Sequence, residues 1–137
     1  MTKKMVSTIY QVKKGIYQRL ANDPALFQKV TDVFSEPGRK PILPYVFVGN
    51  AVANSYSTKQ TGGQEVTVTI HTWSGFAGDD EVLEIHPLIL GALSEGIDVG
   101  DQYYVLLSDL ESEQILRNPD RKTRQGILEI NFTVMEV

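Results

Sequence analysis

Residues 66–74, V-T-V-T-I-H-T-W-S, alternate apolar and polar side chains over the length of a full strand and end on the only tryptophan of the chain. A period of two marks a pleated strand whose faces meet different surroundings. Val66, Val68, Ile70 and Thr72 fall on one face, and Thr67, Thr69, His71 and Trp73 on the other. Such a strand requires a sheet with one buried side and another element to cover it. Trp73, at the strand's end, is expected in the core beneath a helix.

The remaining segments supply that sheet and its cover. Residues 126–137 alternate again, with Leu128, Ile130, Phe132 and Val134 opposed to Glu129, Asn131 and Thr133. Residues 43–49 form an apolar run without alternation, which predicts a strand buried on both faces with Pro44 at its beginning. Residues 103–107 predict a further buried strand, Ile115 and Leu116 a shorter one, and Asn118-Pro119-Asp120 a turn. Met5, Ile9, Val12, Ile16 and Leu20 recur at helical spacing. Asp23 is an N-cap candidate and Pro24 suits the first position of a second helix over 24–33, with Phe27, Val30 and Phe34 turned inward. Pro37, Gly38 and Pro41 end that helical stretch, and residues 50–63 predict a long, mobile hairpin loop. Over 79–95, Val82, Ile85, Ile89 and Leu93 trace a helical face behind three acids. Pro87 predicts a kink or two short helices, with Gly96 as the stop. The expectation is one α+β domain over 1–137: a mainly antiparallel sheet of four to five strands, packed by an N-terminal helix and a kinked central helix.

Composition removes several functions. At 137 residues, 42% hydrophobic and 22% charged, the chain can build one sizeable core. A net charge of −4 argues against a dedicated nucleic-acid binder, which needs a basic footprint. Without cysteine there are no disulfides, thiolate metal sites or thiol nucleophiles. The basic start leads into no uninterrupted apolar stretch, so neither a leader nor a membrane span is expected, and synthesis is placed in the cytoplasm.

No catalytic constellation stands out, and no cofactor or metal is expected. His71 and His86 lack zinc-binding spacing. No serine lies in a G-x-S-x-G elbow, and Gly62-Gly63 lacks a phosphate-loop context. Asp79, Asp80, Glu81 and Glu84 are explained by a helix N-terminus, or alternatively by a small hydrolase or metal-dependent enzyme if a pocket joins them to His71. A ligand-binding module would instead need a preformed apolar cavity. The concentrated basic feature is Arg117, Arg121, Lys122 and Arg124. Set against the acids at 79–84 of another copy, it permits head-to-tail association into a ring.

In order along the chain, P-A-L-F from Pro24, P-I-L-P-Y-V-F-V-G from Pro41, the H-T-W-S strand, the acidic helix and I-L-R-N-P-D-R-K-T-R-Q-G-I-L-E-I from Ile115 resemble the tail completion proteins of long-tailed bacteriophages and prophages, the tail-to-head joining or tail terminator group. The resemblance spans nearly the whole chain. It implies a structural virion protein without enzymatic residues, forming a six-fold ring on the head-proximal end of the tail tube at the head–tail interface. Its implied partners are further copies of itself, the tail tube protein and the head completion (stopper) protein. DNA passes through without specific binding, and no membrane is involved. A neutral or negative lumen lets DNA slide, which agrees with the chain's net charge. Within that picture Tyr56, Lys59 and Gln60 of the 50–63 loop, with Arg117, Arg121 and Arg124, are the expected subunit and partner contacts. A loop that orders only on assembly would leave the isolated chain monomeric.

Overall fold

The computed structural model describes residues 5–36 and 41–137, so Pro37 and Gly38 lie outside the described residues. Five strands form one sheet: β1 (Asp32–Phe34), β2 (Tyr45–Ser55), β3 (Gly63–Ser74), β4 (Tyr103–Arg117) and β5 (Arg124–Glu136). Their order is β1-β2-β3-β5-β4, antiparallel except for the parallel β1–β2 pair. Among the described residues the helices are α1 (Ile9–Ala21), α2 (Pro24–Phe27) and α3 (Asp80–Ser94).

The alternation of β3 sets the two faces. Val66, Val68 and Ile70 pair with Phe132, Ile130 and Leu128 of β5. These residues share one core with Val12, Ile16 and Leu20 of α1, Leu26 of α2, and Ile85 and Ile89 of α3. Each such fully buried aliphatic side chain contributes about 1.5–3 kcal/mol. Thr67, Thr69 and His71 pair with Asn131, Glu129 and Ile127 on the other face, which carries no helix among the described residues. Trp73 lies on that open face too, half-buried opposite Gln125, so it is not a core residue beneath a helix. The period of two already puts it with His71, and its bulk does not override the pleat.

Several boundaries differ from expectation for identifiable reasons. Asp23 does cap α2, accepting from the Ala25 N–H at 3.2 Å, but the helix ends at Phe27. The segment then turns into β1, whose Asp32, Val33 and Phe34 align with Tyr45, Val46 and Phe47. Phe27 is accordingly exposed, and Leu26 takes the core position. Met5 lies ahead of α1 and is exposed. β2 runs through to Ser55 because a bulge between Val48 and Ala51 resets its register. Beyond the bulge Ala51 and Ala53 turn to the core side while Val52 and Asn54 face out, a pattern too polar to read as buried strand. The connection to β3 is thus a short turn, pinned by Tyr56 N–H to Gly63 O at 2.9 Å and Thr61 N–H to Thr58 Oγ1 at 2.9 Å. Hydroxyls that satisfy local backbone groups make this a structured turn, in place of the long mobile loop.

α3 is one helix, not two, and runs through Pro87. The i→i−4 bond that proline removes belongs to the carbonyl of Leu83, and both residues are solvent-exposed, where water can donate to the freed oxygen. Gly96, at φ +99, donates to Leu93 O and ends the element. The two short strands expected at 103–107 and 115–116 are halves of the single strand β4, whose middle is polar and whose register shifts twice against β5.

Candidate functional site

The residues singled out by sequence separate into two clusters at opposite ends of the sheet. Tyr56, Lys59 and Gln60 occupy the β2–β3 turn and are exposed. Arg117 ends β4, and Arg121 projects from the β4–β5 turn. β3 and β5 are antiparallel from Gly63↔Met135 to Ser74↔Arg124, so the turn entering β3 and the turn entering β5 lie at opposite ends of the strand axis. They are separated by about 36 Å at roughly 3.3 Å per residue.

The β4–β5 turn is tightly built. Asp120 accepts from the Lys122 N–H at 2.9 Å, the Thr123 N–H at 2.8 Å and the Thr123 hydroxyl at 2.6 Å. The hydroxyl and backbone bonds from Thr123, with that from Lys122, hold its carboxyl below the usual carboxylate range. Arg121 sits at φ 64, in the left-handed region, and is exposed. Arg124 behaves differently: it is buried, its Nε lies 3.0 Å from Asp79 Oδ1, and its Nη1 donates to Arg121 O at 3.2 Å. It therefore ties the turn to the start of α3 and shapes the loop that carries Arg121, while Arg117, Arg121 and Lys122 are the exposed cations.

The acids at the start of α3 do not converge. Asp79 meets Arg124, Glu81 Oε1 accepts from Ser74 Oγ at 2.6 Å, and Glu84 pairs with Lys29 at 3.2 Å. His71 is on the open face, its Nδ1 2.9 Å from Gln125 Nε2, and burial lowers its pKa. His86 is wholly buried on the helix side, with Nδ1 2.7 Å from Glu113 Oε2 of β4. The sheet thus separates the two histidines. Among the described residues no group of three or more His, Asp or Glu could hold a metal ion, and no helix is long and apolar enough to cross a membrane.

Two surfaces escape a reading of the sequence. β4 is an outer strand with Leu106, Leu107, Leu110 and Leu116 exposed, although its apolar first half reads as buried. At the other side of the subunit, Tyr10, Lys13, Lys14 and Tyr17 of α1 line a groove with Ser35 and Glu36. The signal for the first is the interleaving of leucine with Ser108, Asp109 and Glu111, which a doubly covered strand would not carry.

The sequence profile of the family described as Tail completion protein gp17 matches residues 14–135. The chain belongs to this family. It is 27% identical to the tail completion protein gp17 of Bacillus phage SPP1 over 134 residues, covering 98% of both chains. Among solved structures, a chain from the virion of a native gene transfer agent particle superposes with a TM-score of 0.85 at 18% identity, over 94% of this chain and 98% of that one. The structure of the bacteriophage SPP1 gp17 protein gives a TM-score of 0.64 at 24% identity, over 90% and 88%. The protein is thus a tail completion protein, a structural component of a phage-type virion tail.

Proposed function

We propose that six copies of the chain close into a ring on the head-proximal end of the tail tube and join tail to head around a channel for DNA. The observation that carries this reading is the separation of two polar, exposed turns to opposite ends of one rigid sheet. A joining subunit needs two different docking ends, and these turns supply them. We assign Tyr56, Lys59 and Gln60 to one partner, and Arg117 and Arg121 to the other, the partners being the tail tube protein and the head completion protein. Arg124 acts in this scheme by holding the turn that presents Arg121.

The open face of the sheet suits the channel wall. Its cross-strand rows bring together Glu65 with Thr133, Thr67 with Asn131, and Thr69 with Glu129. Asp109 and Ser112 of β4 continue the rows beside Asn131 and Glu129. Glu65 and Glu129, with no lysine or arginine beside them on this face among the described residues, give a wall that repels phosphates and offers DNA no fixed contact, and Asp109 stands at its outer rim. Catalysis has no part in this function.

Negative-stain imaging of the protein mixed with purified tail tubes tests the proposal. Density is expected on one tube end only, and reversing Arg117 and Arg121 to glutamate is expected to block joining at one side while leaving the fold intact. Binding along the tube wall, or equally at both ends, overturns it.

A further inference from the structure

We infer that neighbouring copies in the ring meet through the β4 edge of one subunit and the α1–β1 groove of the next. The inference rests on the ring reading above and supplies the contact that closes it.

β4 is 15 residues long and, among the described residues, is paired on one side only, with β5. Proteins usually blunt a long outer strand, because its unpaired N–H and C=O groups and apolar side chains recruit other chains. Here the strand keeps Leu107 57%, Leu106 47% and Leu110 44% exposed. Leu110, Ile130 and Phe132 also form one wall of a cleft of about 260 Å³ whose other wall is Leu90 and Leu93 of α3. Asp109 and Glu111 interrupt this apolar strip, and neither has a cation within ion-pair distance among the described residues. A matching partner must be apolar enough to cover leucine and basic enough to meet those two carboxylates.

The opposite side of the same molecule has that character. α1 packs over β1 and β2, at the sheet edge remote from β4. Its 13 residues include Lys13, Lys14 and Arg19 and no acid. Tyr10 is 69% exposed and Tyr17 36%, and the Lys14 ammonium lies 5.7 Å from the Tyr10 ring centre. With Ser35 and Glu36 these side chains line a groove of about 390 Å³. Aromatic rings and lysine stems cover leucine, while the ammonium heads reach Asp109 and Glu111.

The occupant is a second copy because both halves of the contact lie on one chain, at opposite edges and with opposite charge. Two unlike patches on opposite edges make a heterologous contact, which generates a closed ring when the rotation between subunits closes. The alternative self-contact, β4 against β4, sets Asp109 and Glu111 of each copy against the same acids and is disfavoured by like charge. The arrangement also leaves the strand ends, with Tyr56 and Arg121, pointing along the ring axis toward the two partners.

Charge exchange tests the contact. Lys13→Glu/Lys14→Glu and Asp109→Lys/Glu111→Lys are each expected to fold, by circular dichroism, and to abolish capped tube ends in negative stain, whereas the variant carrying all four changes caps them again. Either double variant capping like wild type, or the folded fourfold variant failing to cap, overturns the inference. Failure of the wild-type chain to cap any tube overturns the ring reading instead. Because the chain has no cysteine, Tyr17→Cys/Leu110→Cys provides an independent measurement. On capped tubes a short bis-maleimide is expected to join copies into a ladder of multiples. Capped tubes that yield only monomers overturn the contact while leaving the ring intact.

Discussion

Gly126 lies directly beneath His86 and Val82 of α3, and a single methyl there measures how tightly the two layers are fitted. A Cβ at this position would lie 2.3 Å from His86 Nε2, 2.5 Å from Val82 Cγ1 and 2.8 Å from His86 Cε1, where ordinary contact begins near 3.4 Å. The His86 ring would have to move by roughly 1 Å, and it is wholly buried and held by Nδ1 to Glu113 at 2.7 Å. Swinging the ring breaks that bond, and lifting α3 opens the core at Ile85 and Ile89. Overpacking against such a fixed neighbour costs about 2–3 kcal/mol. Replacing a strand glycine returns roughly 0.5–1 kcal/mol through the unfolded chain, because Gly126 has no positive φ to preserve. The net expectation for Gly126→Ala is a loss of about 1–2 kcal/mol, seen as a melting temperature lower by ~4–8 °C in a domain of this size. The same substitution in a His86→Ala background should cost less, by about 1 kcal/mol in a double-mutant cycle, with Val82 still in the way. Calorimetry or thermal circular dichroism at neutral pH reads both. A Gly126→Ala melting temperature equal to wild type, or a penalty unchanged by removing His86, refutes the packing argument.

Arg124→Ala, which leaves Asp79 and the Arg121 carbonyl without their donor, is expected to lower stability in urea by about 1–3 kcal/mol, whereas Arg117→Ala stays within about 0.5 kcal/mol. Equal losses would mean that Arg124 is not holding the turn. Burial lowers the pKa of His71 below 6.5, so the unfolded chain takes up its proton first as pH falls. This contribution is complete above 6.5 and is lost as the pH drops through that value toward the folded pKa. The melting temperature should fall between pH 7.5 and 5.5, and His71→Gln should flatten that slope. An unchanged slope counts against a half-buried His71 whose pKa is lowered by desolvation.

The sheet is legible in the sequence wherever one strand has two unlike surroundings. β3 and β5 show period two because helices cover one face and solvent meets the other, and the same logic gives α1 its stripe of Val12, Ile16 and Leu20. Sequence misleads where that contrast fails. β4 has neither face fully covered, so its middle residues, Ser108 to Gln114, carry no burial signal and the strand looks broken in two. β1 has only three residues, too few for any period, and owes its strand form to pairing with β2 beyond a connection that sequence alone cannot close. The extension of β2 is hidden by its bulge, which inverts the alternation at Ala51. Pro87 leaves α3 in one piece because the carbonyl it frees belongs to Leu83 on the exposed side of the helix.

The functional surfaces demand a further step, because charge in a sequence has no address until chain pairing is known. Asp79 and Arg124 stand 45 residues apart and look like the two halves of a contact between copies, yet the fold joins them within one chain. The same closure removes Glu84 through Lys29 and Glu113 through His86. The charges that survive this subtraction are informative. Asp109 and Glu111 on one edge, and Lys13 and Lys14 near the other, keep no ionic partner among the described residues and are accompanied by exposed leucine and tyrosine. Isolated exposed charges contribute little to the stability of the fold. Charges set beside uncovered apolar side chains at opposite edges of one sheet make most sense as the two sides of a repeated contact, which ties the geometry of the subunit to the geometry of a ring.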